Sequence, residues 1–361
     1  MAILHFNHVG ITAMAAAVPS RVIDNYKYDL DVFPEEDVRK VVDKVGVYER
    51  HFADENTCAS DLCYAAAEKL IRDNGIDRGE IDLLVFLSQT PDYRMPATAY
   101  VLQDRLGLPM SCMAFDISLG CAGFEYALSV VYAMMEKSGL RKALLLDGET
   151  RSRVYSPRDR RAAFIFGDAG TATLVERGEQ FGESWFSLNS DGSRAELIMV
   201  PAGGYRKMSS PETLLERVVD EYGNMRSEEH GYMKGEDVFN FVIIEVPKDI
   251  KRLMKAADED VLTMDYYVFH QANAFINNYI AKKLKLDTTK IPWTIQKYGN
   301  TSSVSVPLTI VSELQGRLQG RKKLMLSAFG VGMAWGTAIV PFANCRISDI
   351  VEVKNGQPVS L

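Results

Sequence analysis

The sequence lacks a long apolar run and an excess of positive charge. No segment approaches the roughly 20 apolar residues that a membrane-spanning helix needs, and residues 1–8 lack the basic-then-apolar pattern of a signal peptide. The formal net charge of −7 argues against a general nucleic-acid-binding protein. These absences predict a cytoplasmic protein that engages neither membrane nor nucleic acid.

Cysteine is also scarce, and its spacing argues against two common uses. The 361 residues include five cysteines, an odd number in a chain without an export pattern, so we expect reduced thiols rather than a disulfide framework. None forms a Cys-x-x-Cys pair or lies beside a histidine at metal-ligand spacing, so no metal site is expected. With 47% hydrophobic and 25% charged residues, the composition is that of a globular protein.

An internal repeat determines the expected fold. Three pairs of segments recur in the same order with similar spacing: 82–86 with 265–269, 141–146 with 321–326, and 170–172 with 336–338. Two copies of a strand–helix–strand unit predict an α/β fold with two mixed sheets, and with helices on their faces and between them. We expect an N-terminal half at 1–175, a polar connection at 176–234 and a C-terminal half at 235–361. The connection includes a polar excursion at 205–233 and is interpreted as loops and irregular strands, because it has few periodic apolar residues.

Cys121 is the cysteine whose surroundings favour reactivity. It follows an apolar run that ends at Gly120, and it precedes the strongly helical apolar stretch 126–135. Free backbone N–H groups and the positive end of the helix dipole favour a thiolate at such a helix N-terminus. The alternative is a small buried cysteine packed behind a turn.

His270 and Asn300 are the candidate partners of this cysteine. His270 ends the second-copy strand, and Asn300 occupies the repeat position of Cys121, so pseudo-symmetry predicts that Asn300 faces Cys121 between the halves. Each has a simpler interpretation, as a hydrogen-bonded structural histidine and as a helix N-cap. The turn Gly330-Val-Gly332 predicts a backbone N–H donor, at Val331, for a developing oxyanion.

These motifs resemble those of the β-ketoacyl-acyl-carrier-protein synthase III family of the thiolase superfamily. The resemblance is carried by Gly-Val-Tyr-Glu-Arg-His at 46–51, Cys-Ala-Gly-Phe at 121–124, Phe-Gly-Asp at 166–168, His-Gln-Ala-Asn at 270–273, Gly-Asn-Thr-Ser at 299–302 and Phe-Gly-Val-Gly-Met-Ala-Trp-Gly at 329–336. It implies a thiolase-like, internally duplicated fold with layers in the order α-β-α-β-α. It also implies a homodimer that uses no metal or redox cofactor.

The resemblance further implies a reaction in two steps. Cys121 would take an acyl group from acyl-CoA, and a malonyl group on acyl carrier protein would then lose carbon dioxide and condense with it. His270 and Asn300 would hydrogen-bond to the thioester oxygen of the enolate, and the backbone N–H groups of Cys121 and Val331 would form the oxyanion hole. The primer length, and whether the extender arrives on carrier protein or CoA, stay open.

Substrate contacts also follow from the resemblance. Arg160 matches an arginine near the mouth of the tunnel, and Met95 matches a loop position that reaches into the partner's acyl pocket. Lys40 and Lys44 stand where priming members carry Trp and Arg, and Phe275 replaces another Arg. Because lysine keeps a charge for phosphate but cannot stack on adenine, altered CoA recognition is expected.

A basic surface is expected to dock the acidic carrier protein. Its members are Lys248, Lys251, Arg252, Lys255, Lys282 and Lys283. The first four share one helical face, because they are spaced at i, i+3, i+4 and i+7. A local basic stripe can steer an acidic partner to an acidic protein. A solvated helix face is the alternative interpretation.

Other functions stay open at this point. A specialised condensing or acyl-transfer enzyme of a secondary-metabolite or polysaccharide pathway would explain the altered CoA positions. A cysteine thioester hydrolase also uses Cys, His and Asn, but the internal duplication argues against it. A silent partner subunit would have no chemical need for the three residues, and chemistry like that of HMG-CoA synthase would need a general-base glutamate that the sequence does not identify.

Overall fold

The computed structural model describes residues 2–28 and 30–354. Residues 1, 29 and 355–361 of the predicted halves lie outside the described residues. The strands are β1 Ala2–Phe6, β2 Val9–Pro19, β3 Val22–Asp24, β4 Glu49–His51, β5 Leu83–Leu87, β6 Met113–Ile117, β7 Lys142–Thr150, β8 Asp168–Arg177, β9 Ser184–Ser190, β10 Ile198–Met199, β11 Arg217–Val218, β12 Met225–Arg226, β13 Tyr232–Met233, β14 Tyr266–Phe269, β15 Arg321–Gly330, β16 Ala334–Ile347 and β17 Val351–Val353. The α-helices are α1 Glu35–Val45, α2 Ala59–Asn74, α3 Thr98–Arg105, α4 Gly123–Glu136, α5 Pro211–Leu214, α6 Gly235–Ala256, α7 Ala274–Leu284, α8 Ile295–Tyr298 and α9 Ser305–Glu313.

The strands form two equivalent sets. The first set has the order β2-β8-β7-β5-β6, and the second has the order β1-β9-β16-β15-β14. β5 runs parallel to β7 and β7 antiparallel to β8, just as β14 runs parallel to β15 and β15 antiparallel to β16. These strand pairs contain the repeated segments of the sequence, so the predicted duplication is confirmed.

β9 corrects the interpretation of the polar connection. This regular strand of seven residues lies inside 176–234 and pairs with both β1 and β16. The sequence pattern concealed it because two of its residues, Ser184 and Ser187, are polar yet fully buried, on opposite faces of the strand. The second set of strands therefore begins before residue 235, while the exact domain boundaries stay a prediction.

The two sets are joined into one 11-stranded sheet. β16 is 14 residues long, and its C-terminal end continues past the second set to run parallel to β2, with Phe342 opposite Ile11 and Ile347 opposite Met14. β17 pairs with β2 as well. The expected two sheets thus share a hydrogen-bonded junction, which neither copy of the repeat encodes by itself.

Helices form three layers around these strands. α4 and α9 lie between the two sets, in a core that includes Val85 and Leu145 of the first set and Leu324 and Leu326 of the second. α4 is buried around most of its circumference because strands cover it on both sides. α2 and α3 cover the outer face of the first set, and α6 and α7 cover that of the second. This is the α-β-α-β-α arrangement that the resemblance implies.

Three further observations concern membrane-spanning helices, metal-binding clusters and disulfide bonds. No helix in the described part of the chain is long and apolar enough to cross a bilayer. Within residues 2–28 and 30–354, no group of three or more His, Cys, Asp or Glu side chains could hold a metal ion. All five cysteines are free thiols, and four of them are buried.

Candidate active site

Cys121 lies at the predicted turn between strand and helix. It follows β6 and comes two residues before α4 begins, and it is 8% exposed. Burial raises the pKa of Cys112 to about 11 and that of Cys345 to about 12. The pKa values of Cys58 and Cys63 are raised by burial too. Cys121 is thus the exception among the five cysteines, because its pKa is lowered.

Neighbouring groups explain this exception. Burial alone would raise the pKa of the Cys121 thiol, but the charge and hydrogen bond of His270, the charge of Arg151 and the N–H of Val331 together lower it to about 7. A thiolate is the nucleophilic form of cysteine. The site therefore holds a substantial fraction of its nucleophile in the reactive form near neutral pH.

His270 is held in one orientation at the end of β14. Its Nδ1 lies 2.7 Å from the Oγ of Ser305, and its ring packs edge-on against Phe329 with 5.5 Å between ring centres. Because Nδ1 is engaged by the hydroxyl, Nε2 is the nitrogen left for Cys121. The structure therefore brings His270 and Cys121 close enough for His270 to lower the pKa of the thiol.

Asn300 follows α8 and connects the two halves. Its N–H donates to the carbonyl of Ile165 at 2.8 Å, and its carbonyl accepts from the N–H of Gly167 at 3.2 Å. Its side-chain Oδ1 accepts from the N–H of Ser302 at 2.9 Å. This contact is a local turn rather than a helix cap, because the N-cap of the following helical turn is Thr301. The amide Nδ2 remains as a donor, because Asn has two N–H groups in addition to its oxygen.

The glycine turn after β15 packs directly on the nucleophile. A Cβ added at Gly330 would lie 2.5 Å from both the Cβ and the Sγ of Cys121, so only glycine permits this approach. The N–H of the next residue, Val331, helps to lower the pKa of the Cys121 thiol. The backbone donor predicted from the sequence therefore lies beside the sulfur.

The sequence analysis missed a buried polar group beside Cys121. Arg151 directly follows β7 and is 5% exposed. Its Nη1 lies 3.5 Å from the Oε1 of Gln89, and its Nη2 lies 3.1 Å from the hydroxyl of Tyr155. Glu149 is also fully buried and accepts from the N–H of Gln89 at 3.0 Å. Glu149-Thr-Arg151 at the end of an apolar strand is the signal that could have identified this group, since buried charges at a strand end are uncommon outside functional sites.

A large cleft contains the predicted CoA contacts. Its volume is about 1360 Å³, and Lys40, Lys44 and Arg160 all line it, together with Phe275. Ile165 lines the same cleft, and its carbonyl binds the N–H of Asn300. The wall of the cleft at Ile165 therefore lies next to Asn300, while CoA binding by Lys40, Lys44 and Arg160 stays a prediction.

The other predicted contacts divide into exposed and internal side chains. Met95 is 77% exposed, at the protein surface. Five of the basic residues are exposed on α6 and α7: Lys248, Lys251, Lys255, Lys282 and Lys283. Arg252 does not share their surface. It donates to Ser187 and Asn189 at 2.8 Å each and contacts the buried carboxylate of Asp249, because that carboxylate needs a positive neighbour.

The lowered thiol pKa predicts the pH profile of alkylation. The rate at which iodoacetamide modifies Cys121 should rise with pH to a midpoint near 7, following the thiolate. In His270→Ala the midpoint should move to higher pH. Burial of the thiol, which raises its pKa, remains, whereas the charge and hydrogen bond of His270, which lower it, are lost. Peptide mass spectrometry on Cys121 gives the rates. A wild-type midpoint at the ordinary value of 9.0 would contradict the geometry.

Comparison with known proteins relates this site to a family. Models of 3-oxoacyl-(acyl-carrier-protein) synthase III and of its C-terminal part match residues 115–192 and 254–342. The chain is 32% identical over 341 residues to β-ketoacyl-(acyl-carrier-protein) synthase III of Sulfurovum sp., which covers 93% of this chain and 96% of that protein. It is 33% identical over 342 residues to the protein of the same description from Xanthomonas oryzae pv. oryzae, with 91% and 100% covered. The crystal structure of a 3-oxoacyl-(acyl-carrier-protein) synthase from Burkholderia xenovorans superposes with a TM-score of 0.91 at 38% identity, over 98% of this chain and 99% of that one.

Proposed function

This chain belongs to the 3-oxoacyl-(acyl-carrier-protein) synthase III family, and from that premise we propose that it joins an acyl primer to a malonyl thioester through an acyl-enzyme. The observation that carries the proposal is the contact of a buried cysteine, whose pKa is lowered to about 7, with His270 and the N–H of Val331. Acyl transfer needs an activated nucleophile and preformed donors for the oxyanion. Cys121 and its neighbours supply both.

In the first step, the thiolate of Cys121 attacks the carbonyl carbon of an acyl-CoA. The negative charge that develops on the carbonyl oxygen is stabilised by the N–H groups of Val331 and of Cys121 itself. The carbon–sulfur bond to CoA then breaks, CoA leaves as a thiolate that takes up a proton, and the acyl group remains on Cys121. The two donors belong to different halves, so the oxyanion hole exists only where the halves meet.

In the second step, malonyl-acyl carrier protein replaces CoA. Nε2 of His270 and Nδ2 of Asn300 donate to its thioester oxygen, and so stabilise the enolate that forms when carbon dioxide leaves. The enolate carbon attacks the acyl-enzyme, a carbon–carbon bond forms, and the thiolate of Cys121 is released. The product is a 3-oxoacyl group on the carrier protein.

Binding of both substrates follows from charge. Lys40, Lys44 and Arg160 in the large cleft would hold the phosphates of CoA. The five exposed lysines of α6 and α7 would attract the acidic carrier protein. Lys283 also donates to the carbonyl of Ile243 at 2.7 Å, which fixes α7 against α6 at this surface.

We further propose a homodimer and retain the predicted cytoplasmic location. β6 is the edge strand of the first set, and in the described part of the chain it pairs with β5 alone. An uncovered edge strand favours pairing with a second chain. Met95, exposed on the same protomer, would then be available to the partner's site. Sedimentation analysis at several concentrations tests the dimer.

Reconstitution with purified components tests the reaction. The protein is incubated with a panel of acyl-CoAs and with either malonyl-acyl carrier protein or malonyl-CoA, and the products are identified by mass spectrometry. We expect 3-oxoacyl-acyl carrier protein, one carbon dioxide per product, and faster turnover with the carrier protein. Hydrolysis without condensation would instead indicate the cysteine thioester hydrolase, an alternative that the family comparison does not favour.

A further inference from the structure

Arg151 has an unusual shortage of hydrogen-bond acceptors for a buried charge. A guanidinium carries five N–H donors, yet its acceptors among the described residues are the oxygens of Gln89 and Tyr155, and its Nε is buried without an acceptor. Buried charged groups are almost always paired. Arg151 is therefore a positive group with unused donor capacity inside the protein.

No carboxylate neutralises this charge at close range. Within residues 2–28 and 30–354, no Asp or Glu oxygen lies within the 4.0 Å of an ion pair with Arg151. The charge of Glu149 raises the pKa of Arg151 without an ion pair between the two side chains. The carboxylate oxygens of Glu149 instead accept from the N–H of Gln89 and the hydroxyl of Thr90, at 3.0 and 2.9 Å. The remaining donors of Arg151 are thus available to a ligand.

The guanidinium also lies in a largely buried site, beside a small cavity of about 20 Å³ that Arg151, Tyr155 and Phe166 line. Tyr155 and Phe166 stack on each other with 3.9 Å between ring centres, and the guanidinium carbon of Arg151 lies 5.4 Å and 5.8 Å from these two rings. Both rings are buried. Low exposure strengthens any charge-assisted hydrogen bond that Arg151 makes.

Gln89, the hydrogen-bond partner of Arg151, lies next to the residue that precedes the nucleophile. A Cβ added at Gly120 would lie 2.3 Å from the Oε1 of Gln89 and 2.6 Å from the Cγ1 of Val331. The side chains of Gln89 and Val331 therefore both pack against Gly120, the residue before Cys121. Arg151 lies 3.5 Å from Gln89, and its charge helps to lower the pKa of Cys121, so the guanidinium lies near the sulfur to which an acyl group would be attached.

We propose that Arg151, with Gln89 and Tyr155, selects a short acyl primer that carries a carboxylate, namely the monothioester of a dicarboxylic acid. The inference rests on the proposed function, because it requires an acyl group on Cys121. A carboxylate accepts from two guanidinium N–H groups at once, and it would give Arg151 a carboxylate partner at ion-pair distance, which no Asp or Glu among the described residues provides. An apolar chain would leave the same donors buried and unpaired.

The chemistry of acylation is unchanged by this choice. The sulfur of Cys121 forms a bond to the thioester carbonyl carbon, the bond from that carbon to the sulfur of CoA breaks, and CoA leaves with the electron pair. The distal carboxylate takes no part in bond exchange. Its negative charge is only paired with Arg151.

Two acyl-CoA substrates of similar shape test whether Arg151 selects a carboxylate. Succinyl-CoA ends in a carboxylate, and 4-methylpentanoyl-CoA carries an apolar isopropyl group of similar size at that position. Intact-protein mass spectrometry of the full chain gives the rate of single acylation by each. We expect succinyl-CoA to react roughly 10–100-fold faster, as charge-assisted hydrogen bonds of a buried pair allow. Equal rates, or faster reaction of the apolar donor, would overturn the proposal.

Substitution of Arg151 gives the second test. Arg151→Leu should reverse the preference, and Arg151→Gln should abolish it. Arg151 also favours the thiolate of Cys121, so its removal changes the rate with every acyl-CoA. The quantity compared is therefore the ratio of the acylation rates with succinyl-CoA and 4-methylpentanoyl-CoA on the same protein. A change in the nucleophilicity of Cys121 cancels in this ratio. Arg153→Leu, on an exposed side chain two residues away, removes one positive charge and should keep the wild-type ratio.

The outcomes separate this inference from the proposed function. Absence of an adduct with every donor on folded wild-type protein refutes the acyl-enzyme. Adducts from apolar donors with a ratio that Arg151→Gln leaves unchanged refute only the selection, and assign the arginine to the thiolate alone. Circular dichroism melts of each variant establish folding, and the comparison of donors on wild type stands even where a variant does not fold.

Discussion

Cys121→Ala should take up no acyl group from any acyl-CoA, whereas the wild-type protein should gain the mass of one. The physical reason is the contrast among the thiols: the pKa of Cys121 is lowered to about 7, while burial raises the pKa of each of the other four cysteines. Those four remain thiols at neutral pH and do not compete as nucleophiles. Intact-protein mass spectrometry measures the gain.

Cys112→Ala provides the matched control for this prediction. Cys112 lies immediately before β6, the strand that Cys121 follows, but burial raises the pKa of its thiol to about 11. Its removal should leave the adduct in place. An adduct that persists in Cys121→Ala would assign the nucleophile to a different residue and would refute the two-step mechanism.

Asn300→Asp should slow condensation by about 10²–10³-fold, the usual cost of losing one donor to a developing oxyanion. The substitution keeps an oxygen to accept from the N–H of Ser302, which Oδ1 of Asn300 does at 2.9 Å, but it replaces the donor Nδ2 by a second oxygen. The enolate would then face a carboxylate rather than an amide N–H. Single-turnover formation of 3-oxoacyl-carrier protein from preformed acyl-enzyme gives the rate.

Acylation by acyl-CoA should remain within a few-fold of wild type in the same variant, because the oxyanion of the first step lies against Val331 and Cys121. Slow condensation together with near-normal acylation would show that Asn300 acts on the enolate of the second step. Equal loss in both would mean that Asn300 acts through the fold of the loop that it joins to Ile165 and Gly167. Asn300→Ala, which removes acceptor and donor together, shows how much that loop contributes.

The sequence was sufficient for the elements that repeat and for the residues at their ends. The duplication, the turn that carries Cys121, the strand end at His270 and the donor at Val331 follow local patterns, and the structure places each where its pattern predicts. The catalytic roles stay predictions until the variants are measured. Local pattern succeeds here because strand ends and helix starts are specified by neighbouring residues.

Three features depend on contacts that are distant in the chain. β9 was missed because its buried serines look like surface residues until Ser187 is seen to donate to Asp249 at 2.7 Å. Arg252 matched the spacing of the basic stripe, but helical spacing alone does not reveal that the same carboxylate draws it inward. Arg151 belongs to the site because Gln89 and Tyr155 surround it, and no repeat or spacing signals that arrangement.

The contact between Gly330 and Cys121 also bears on how the chain is made. Cys121 emerges from the ribosome well before His270 and the Gly330 turn, and until those later residues dock it is an ordinary thiol. Its low pKa therefore appears only once the whole chain has folded. A partly folded chain therefore contains a smaller fraction of Cys121 thiolate at neutral pH than the folded protein does, and the alkylation rate of Cys121 reports completed folding.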